Sequence, residues 1–253
     1  MGADLPIGVP RAYAAQRPEH NFREFLARTR DWPDFWRVCN TLDDLTPERP
    51  FYPARGIKGM TRAAHASALK LGGPAGLSRA CDRATAERPA GAPLFWTLGA
   101  NQTGKAAIVA WRDMLLPALK DVRLWPFDGP FRGLLAPDTV AIAETYPAEA
   151  MRHLTIPTKG SKRRQSDRAA VAENLLAAMY RLRVVADTAT YTMLRNGFGA
   201  DAAGEDRFDC VLGLLCAIGV LNGDRPDTAP PDPWLTTWEG WVLGQTTIPA
   251  ELH

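Results

Sequence analysis

Thr139-Val140-Ala141-Ile142-Ala143-Glu144 is the stretch on which the fold turns. Small and apolar residues run up to a terminal carboxylate, the pattern of a buried strand whose last residue reaches polar surroundings. Upstream, Leu94-Phe95-Trp96-Thr97-Leu98 is a second short apolar run, bounded by Pro93 and Gly99, and it predicts another buried strand. Between the two, Ala107, Ile108, Trp111, Leu115 and Leu119 recur on one face after Gly104, which predicts an amphipathic helix. Downstream, the periodicity predicts a helix over 165–183 and another over 206–221. Strands alternating with helices imply an α/β domain with a mixed or parallel sheet.

Further out the signals are shorter. Phe22, Phe25, Leu26, Phe35 and Trp36 lie at helical spacing but are interrupted at Trp32-Pro33, so two short helices are expected there. Residues 45–58 carry Pro47, Pro50, Pro53 and Gly56 and read as a surface loop. A helix over 61–71 is expected to stop at Gly72-Gly73-Pro74. Together these readings imply one domain over 1–253, with a helical and loop insertion around 20–90 and an irregular wrap over 224–253.

Composition narrows the setting. Of 253 residues, 46% are hydrophobic and 23% charged, so the chain is neither disordered nor fibrous. Thirty Lys and Arg against twenty-eight Asp and Glu leave a formal charge of +2, which excludes wholesale coating of a polyanion and makes any such contact local. Cys39, Cys81, Cys210 and Cys216 show no C-x-x-C pair and no metal-ligand spacing, so reduced thiols in a cytoplasm are expected. The longest apolar run, Val211 to Leu221, is far short of the roughly twenty residues a bilayer span needs, so no membrane partner is expected. The opening Met-Gly-Ala-Asp-Leu-Pro lacks a basic and apolar leader, and Pro6 stands where a myristoylation motif wants Ser or Thr.

Four constellations carry chemistry. Gly99-Ala-Asn-Gln-Thr-Gly104-Lys105 has the strand-to-helix context of a phosphate loop. Ala106, however, offers no hydroxyl for a nucleotide's magnesium, so a triphosphatase is the weakest reading and Lys105 at a helix start is left as an anion contact. In Glu205-Asp206-Arg207-Phe208-Asp209, Asp206 and Asp209 are three apart and share a helix face, where two carboxylates can converge on a divalent cation. Asp206 is also explained as a helix cap, whereas Asp209 falls on the stripe of Leu212 and Cys216 and needs a partner. Asp4 and Glu144 each end an apolar β-like segment beside a turn. The run Lys159 to Arg168 concentrates cations, among them Lys162, Arg163 and Arg164, which a solvated surface or a phosphate contact explains. His153 has no evident Ser or Cys partner, so triad chemistry is not expected.

Taken in order, Asp4-Leu-Pro-Ile-Gly-Val-Pro10, Glu144-Thr-Tyr-Pro147, the Lys162-Arg163 loop and Glu205 to Asp209 resemble the uncharacterised bacterial proteins grouped as predicted ribonuclease H-like nucleases. Phe95 to Lys105, Leu124-Trp-Pro-Phe-Asp128-Gly and Glu239-Gly-Trp-Val-Leu-Gly-Gln245 support the resemblance, which spans nearly the whole chain. It implies a ribonuclease H-like mixed sheet flanked by helices. It also implies Asp4, Glu144, Asp206 and Asp209 as catalytic acids, with Asp4, Asp206 and Asp209 holding Mg2+ or Mn2+, as in RuvC-type resolvases. Lys162, Arg163, Arg164 and Lys105 would contact the substrate. Family members open with a strand bearing an aspartate upstream of the segment matching Asp4, and the sequence lacks that strand or hairpin. The expected activity is therefore a metal-dependent phosphodiesterase acting on nucleic acid, and the alternative is a non-catalytic module of the same fold that binds nucleic acid or protein.

Overall fold

The computed structural model describes residues 1–56, 58–99, 102–157 and 160–249. In chain order the elements are β1 (Gly2–Ala3), α1 (Arg11–Ala14), α2 (Phe22–Arg28), α3 (Arg62–Ala68), α4 (Thr103–Val109), α5 (Leu116–Ala118), β2 (Val122–Leu124), β3 (Val140–Glu144), α6 (Pro147–His153), α7 (Gln165–Ala170), α8 (Ala172–Arg181), α9 (Thr188–Arg195) and α10 (Ala203–Asn222). The strands form one small sheet in the order β1-β3-β2. β1 runs parallel to β3, with Gly2 opposite Ala143 and Ala3 opposite Glu144. The α/β expectation holds at that level, and helices dominate.

Two expected elements differ. Leu94 to Thr97 are buried as expected, with Leu98 half-buried, but the run is not a strand. Its backbone is spent elsewhere: Leu94 N donates to Leu77 O, Trp96 N closes a turn on Pro93 O, and Thr97 N reaches Tyr52 O, leaving a single bridge between Tyr52 and Trp96. A short apolar run cannot by itself distinguish a strand from a buried irregular segment. The helix expected over 165–183 is broken at Val171 (φ −101°, ψ 7°), which separates α7 from α8. The helix expected after Gly104 is present but passes through a π turn at Ala110–Leu115. In the turn Gly99 to Lys105, residues 100 and 101 lie outside the described residues, as do Lys159 of the basic run and 250–253 of the wrap.

The chain divides into two compact units, described separately. The first holds Met1–Asp4, Ile142–Thr228 and Val242–Thr246. Its core joins Leu175, Ala178 and Met179 of α8, Leu194 of α9, Ala150 of α6, and Phe208, Leu212, Leu215 and Cys216 of α10. Each buried leucine here contributes roughly 2 kcal/mol. α10 ends at Gly223, whose φ of 93° turns the chain out of the helix.

The second unit holds Leu5–Ala141, Ala229–Trp241 and the chain from Thr247. Its core is aromatic: Phe25 meets Phe35 edge to face at 5.7 Å, Phe51 meets Phe95 at 5.4 Å, and Trp111 donates its indole N–H to Pro6 O at 2.7 Å. His65 on α3 is fully buried, with Nε2 2.8 Å from Pro50 O and no partner for Nδ1. Burial lowers its pKa to about 4, against a smaller opposing contribution from the Pro50 hydrogen bond. Because unfolding restores an ordinary histidine near 6.5, the unfolded chain takes up a proton first as the pH falls. Stability from neutral His65 is therefore present above about 6.5 and is lost as the pH falls toward 4, by about 3 kcal/mol in all. Urea midpoints at pH 7 and 4.5 should fall less for His65→Phe than for the wild type, and equal falls would contradict this account.

Candidate functional site

The first unit brings distant carboxylates together by close backbone packing. A Cβ added at Gly2 would lie 2.9 Å from Gly213 O and 2.9 Å from Thr145 Cγ2, and one added at Gly213 would lie 2.9 Å from Thr145 Oγ1. Only glycine at these positions lets α10 lie this close to β1 and the end of β3. β1 is stitched to β3 by Ala143 N to Met1 O at 3.0 Å and Thr145 N to Ala3 O at 2.9 Å. Asp4 follows β1, Glu144 ends β3, and Asp209 sits one helical turn before Gly213 on the same face of α10.

The electrostatics reflect that convergence. The Asp4 carboxyl is pushed up to about 7, first by desolvation and then by the charges of Asp209, Glu144 and Glu205, with Lys162 opposing. Asp209 is also raised, by burial first, against the hydrogen bond it accepts from Lys162. Lys162 Nζ stands 2.5 Å from Asp209 Oδ2 and 3.5 Å from Glu205 Oε1. Asp209 Oδ1 is buried with no hydrogen-bond partner. Glu144 is 6% exposed, and its backbone carbonyl accepts Leu243 N at 2.8 Å. No three of Asp4, Glu144, Glu205, Asp206 and Asp209 bring carboxylate oxygens within 4.8 Å of one another, so the acids do not close on a single point, and Lys162 meets Asp209 and Glu205.

Asp206 lies exposed, with its neighbour Glu205 joining the cluster instead. The spacing could have found Glu205, since it precedes Asp209 by four residues and shares its face more closely than Asp206 does. The basic loop is built from below. Arg168, 2% exposed, donates to Lys162 O, to Gly197 O at 2.9 Å and to Gly199 O at 2.7 Å. Asp167 Oδ2 accepts Ser161 N at 2.7 Å. Arg163 Nε is 3.9 Å from Glu205, and Arg164 pairs with Asp167 at 2.7 Å, both arginine side chains being about two-thirds exposed. Lys105, by contrast, belongs to the second unit, where it lies exposed on α4.

His153 does have a thiol partner, contrary to the expectation from sequence. Cys216 Sγ lies 3.7 Å from His153 Nδ1, and His153 Nε2 lies 3.0 Å from Glu149 Oε1. The side chains of all three are enclosed, and burial, aided by the charge of Glu149, pushes the Cys216 thiol up to about 12. A protonated, enclosed thiol is no nucleophile at neutral pH, so this is a structural cluster joining α6 to α10. The sequence hid it because its members are 63 residues apart in part and four apart in part.

Carboxylate oxygens are the ligands a hard divalent cation takes, and Asp209 Oδ1 is buried without a hydrogen-bond partner, but the acids here are spread apart and Asp209 is paired with Lys162. Compared with family models, curated proteins and solved structures, the chain matches none. Among the described residues no helix is long and apolar enough to cross a membrane.

Proposed function

We propose that the protein is a metal-dependent phosphodiesterase acting on nucleic acid, built on a ribonuclease H-like arrangement. The observation that carries this reading is that β1–β3 pairing and the packing of Gly213 on Gly2 draw Asp4, Glu144 and Asp209, from three separate segments, toward one another, with Lys162 of the basic loop on Asp209. Asp4 and Asp209 are the residues that would hold Mg2+ or Mn2+, with Glu144 and Glu205 adding negative charge and Asp206 at the rim. The ion supplies a water activated for attack and charge compensation on the phosphodiester oxygens. The chain's own part is positional. Gly2 and Gly213 set the spacing of the acids, Arg168 holds the basic loop, and Lys162, Arg163 and Arg164 orient the phosphate. Binding through those cations should weaken as salt rises. Four free cysteines, three of them buried, fit a cytoplasmic setting.

A non-catalytic binding module is the competing reading, and the Lys162 to Asp209 ion pair favours it, since the acids are already neutralised in part. Incubation with labelled single-stranded, duplex, hybrid and branched substrates in Mn2+ separates the two. Cleavage abolished by EDTA and by Asp209→Asn supports the enzyme, whereas binding without cleavage leaves the module.

A further inference from the structure

We propose that the second unit carries a track for the phosphate backbone of nucleic acid, made by Arg55, Lys58 and Arg62 together with Lys105. The track lies outside the acidic cluster of the first unit and does not depend on cleavage, since the same cations serve a protein that only binds.

Charge is placed unevenly along the chain. Residues 49–112 hold ten Lys and Arg against two acids, Asp82 and Glu87, a net of +8 in a chain whose total is +2. Like charges gathered this way repel one another, and a bound polyanion relieves the repulsion. Part of the excess is used internally, since buried Arg79 pairs with Asp82 at 2.9 Å. Arg55, Lys58, Arg62 and Lys105 differ: they are exposed and, among the described residues, their side chains make no hydrogen bond or ion pair. Exposed arginines elsewhere are matched by an acid close in sequence, as Arg37 is by Asp34 at 2.9 Å and Arg112 by Asp113 at 2.6 Å.

Backbone packing gathers the unmatched cations. Thr97 N donates to Tyr52 O at 3.0 Å and Thr97 Oγ1 to Pro53 O at 2.7 Å, which lays the chain leading to Arg55 along residues 96–98. Gly104 N donates to Trp96 O at 3.0 Å, which sets Lys105 beside the same stretch. A Cβ added at Gly59 or Gly99 would meet nothing within 4 Å, so the backbone next to these cations is open to a ligand. The exposed described residues between 54 and 62 include no aromatic or large aliphatic side chain. They offer a bilayer nothing to bury and a protein partner no apolar anchor. What they offer is charge spaced by small residues, the contact that phosphates take from Arg and Lys.

The test is fluorescence anisotropy of a labelled single-stranded oligonucleotide at several salt concentrations, for wild type and the triple variant Arg55→Gln, Lys58→Gln, Arg62→Gln. Losing three phosphate contacts should reduce the slope of log affinity against log salt by about 2, and weaken binding by at least about tenfold near 0.1 M salt. Arg37→Gln, which removes a cation already matched by Asp34, should leave slope and affinity unchanged. Should the triple variant not fold, Lys58→Gln and Lys105→Gln singly must each lower the slope by about 0.7. Binding by wild type with the same slope in the variants overturns the track and leaves nucleic-acid binding by the Lys162 loop standing. No binding by wild type overturns the track outright, and the cleavage assay then decides the reading of the first unit independently. Polyglutamate or phosphatidylserine vesicles bound more tightly than the oligonucleotide, and released by the triple substitution, overturn nucleic acid as the occupant in favour of an acidic protein or a lipid surface.

Discussion

Gly8→Ala should destabilise the protein by about 3 kcal/mol or more, a large part of the roughly 5–15 kcal/mol that holds a domain folded. Gly8 has φ of 130°, and an added Cβ would lie 2.1 Å from Glu239 O and 2.4 Å from Glu239 C. Gly240, with φ of 70°, stands in the reciprocal relation: its Cβ would lie 2.0 Å from Ile7 O. Val9 N donates to Trp238 O at 2.9 Å across the same contact. The obstacles are backbone atoms, so no side-chain rotation relieves them. Separating the two segments would also loosen Ile7, Val9, Trp238 and Trp241, all buried in the second unit. Gly240→Ala should behave alike. Urea unfolding measures both, and a loss below about 1 kcal/mol for either variant contradicts the close contact.

The second large effect is expected at Arg168. Its guanidinium serves three carbonyls, those of Lys162, Gly197 and Gly199, from inside the first unit. Arg168→Met keeps most of the apolar stem and removes every donor. Leaving a buried acceptor unsatisfied costs about 1–3 kcal/mol, so three of them, after partial relaxation toward water, should cost about 3–5 kcal/mol in total. Arg168→Lys should recover only part, because one ammonium lacks the planar fork that spans two segments. The Cβ that Gly204 lacks would lie 2.4 Å from the guanidinium, so the start of α10 is shaped around this side chain. Hydrogen exchange should accordingly rise around residues 160–164 and 197–204 in Arg168→Met. Unchanged protection there, with unchanged stability, would show that the carbonyls find other donors.

What could be read from the sequence follows from the range of the interactions. β3 and α10 are legible because their signals are local: an apolar run with a carboxylate end, and the apolar run Val211 to Leu221. The run Leu94–Leu98 misled for the same reason, since burial was readable but the partners Leu77 and Tyr52 were not. Asp4, Glu144 and Asp209 are legible singly, yet how near they lie depends on Gly2 and Gly213, whose close approach has no local signature. The same holds for Gly8 and Gly240, which lie in two of the phrases that carry the resemblance and pack against Glu239 and Ile7, respectively, within the second unit. Spacing does not separate Glu205 from Asp206, because residues three and four before Asp209 both share its face until the helix start is known. Lys162 was legible as a cation, but its use inside the acidic cluster was not.

The account stands most directly on the rate at which wild type and Asp209→Asn cleave a labelled oligonucleotide in saturating Mn2+, under conditions where both are shown to be folded. Cleavage by wild type that stops in EDTA, and a fall of at least about 100-fold in Asp209→Asn, is the predicted result, since even a residue that only supports a metal ligand can cost 10–100-fold. Equal rates for the two proteins, or no cleavage of any substrate by wild type, would contradict it.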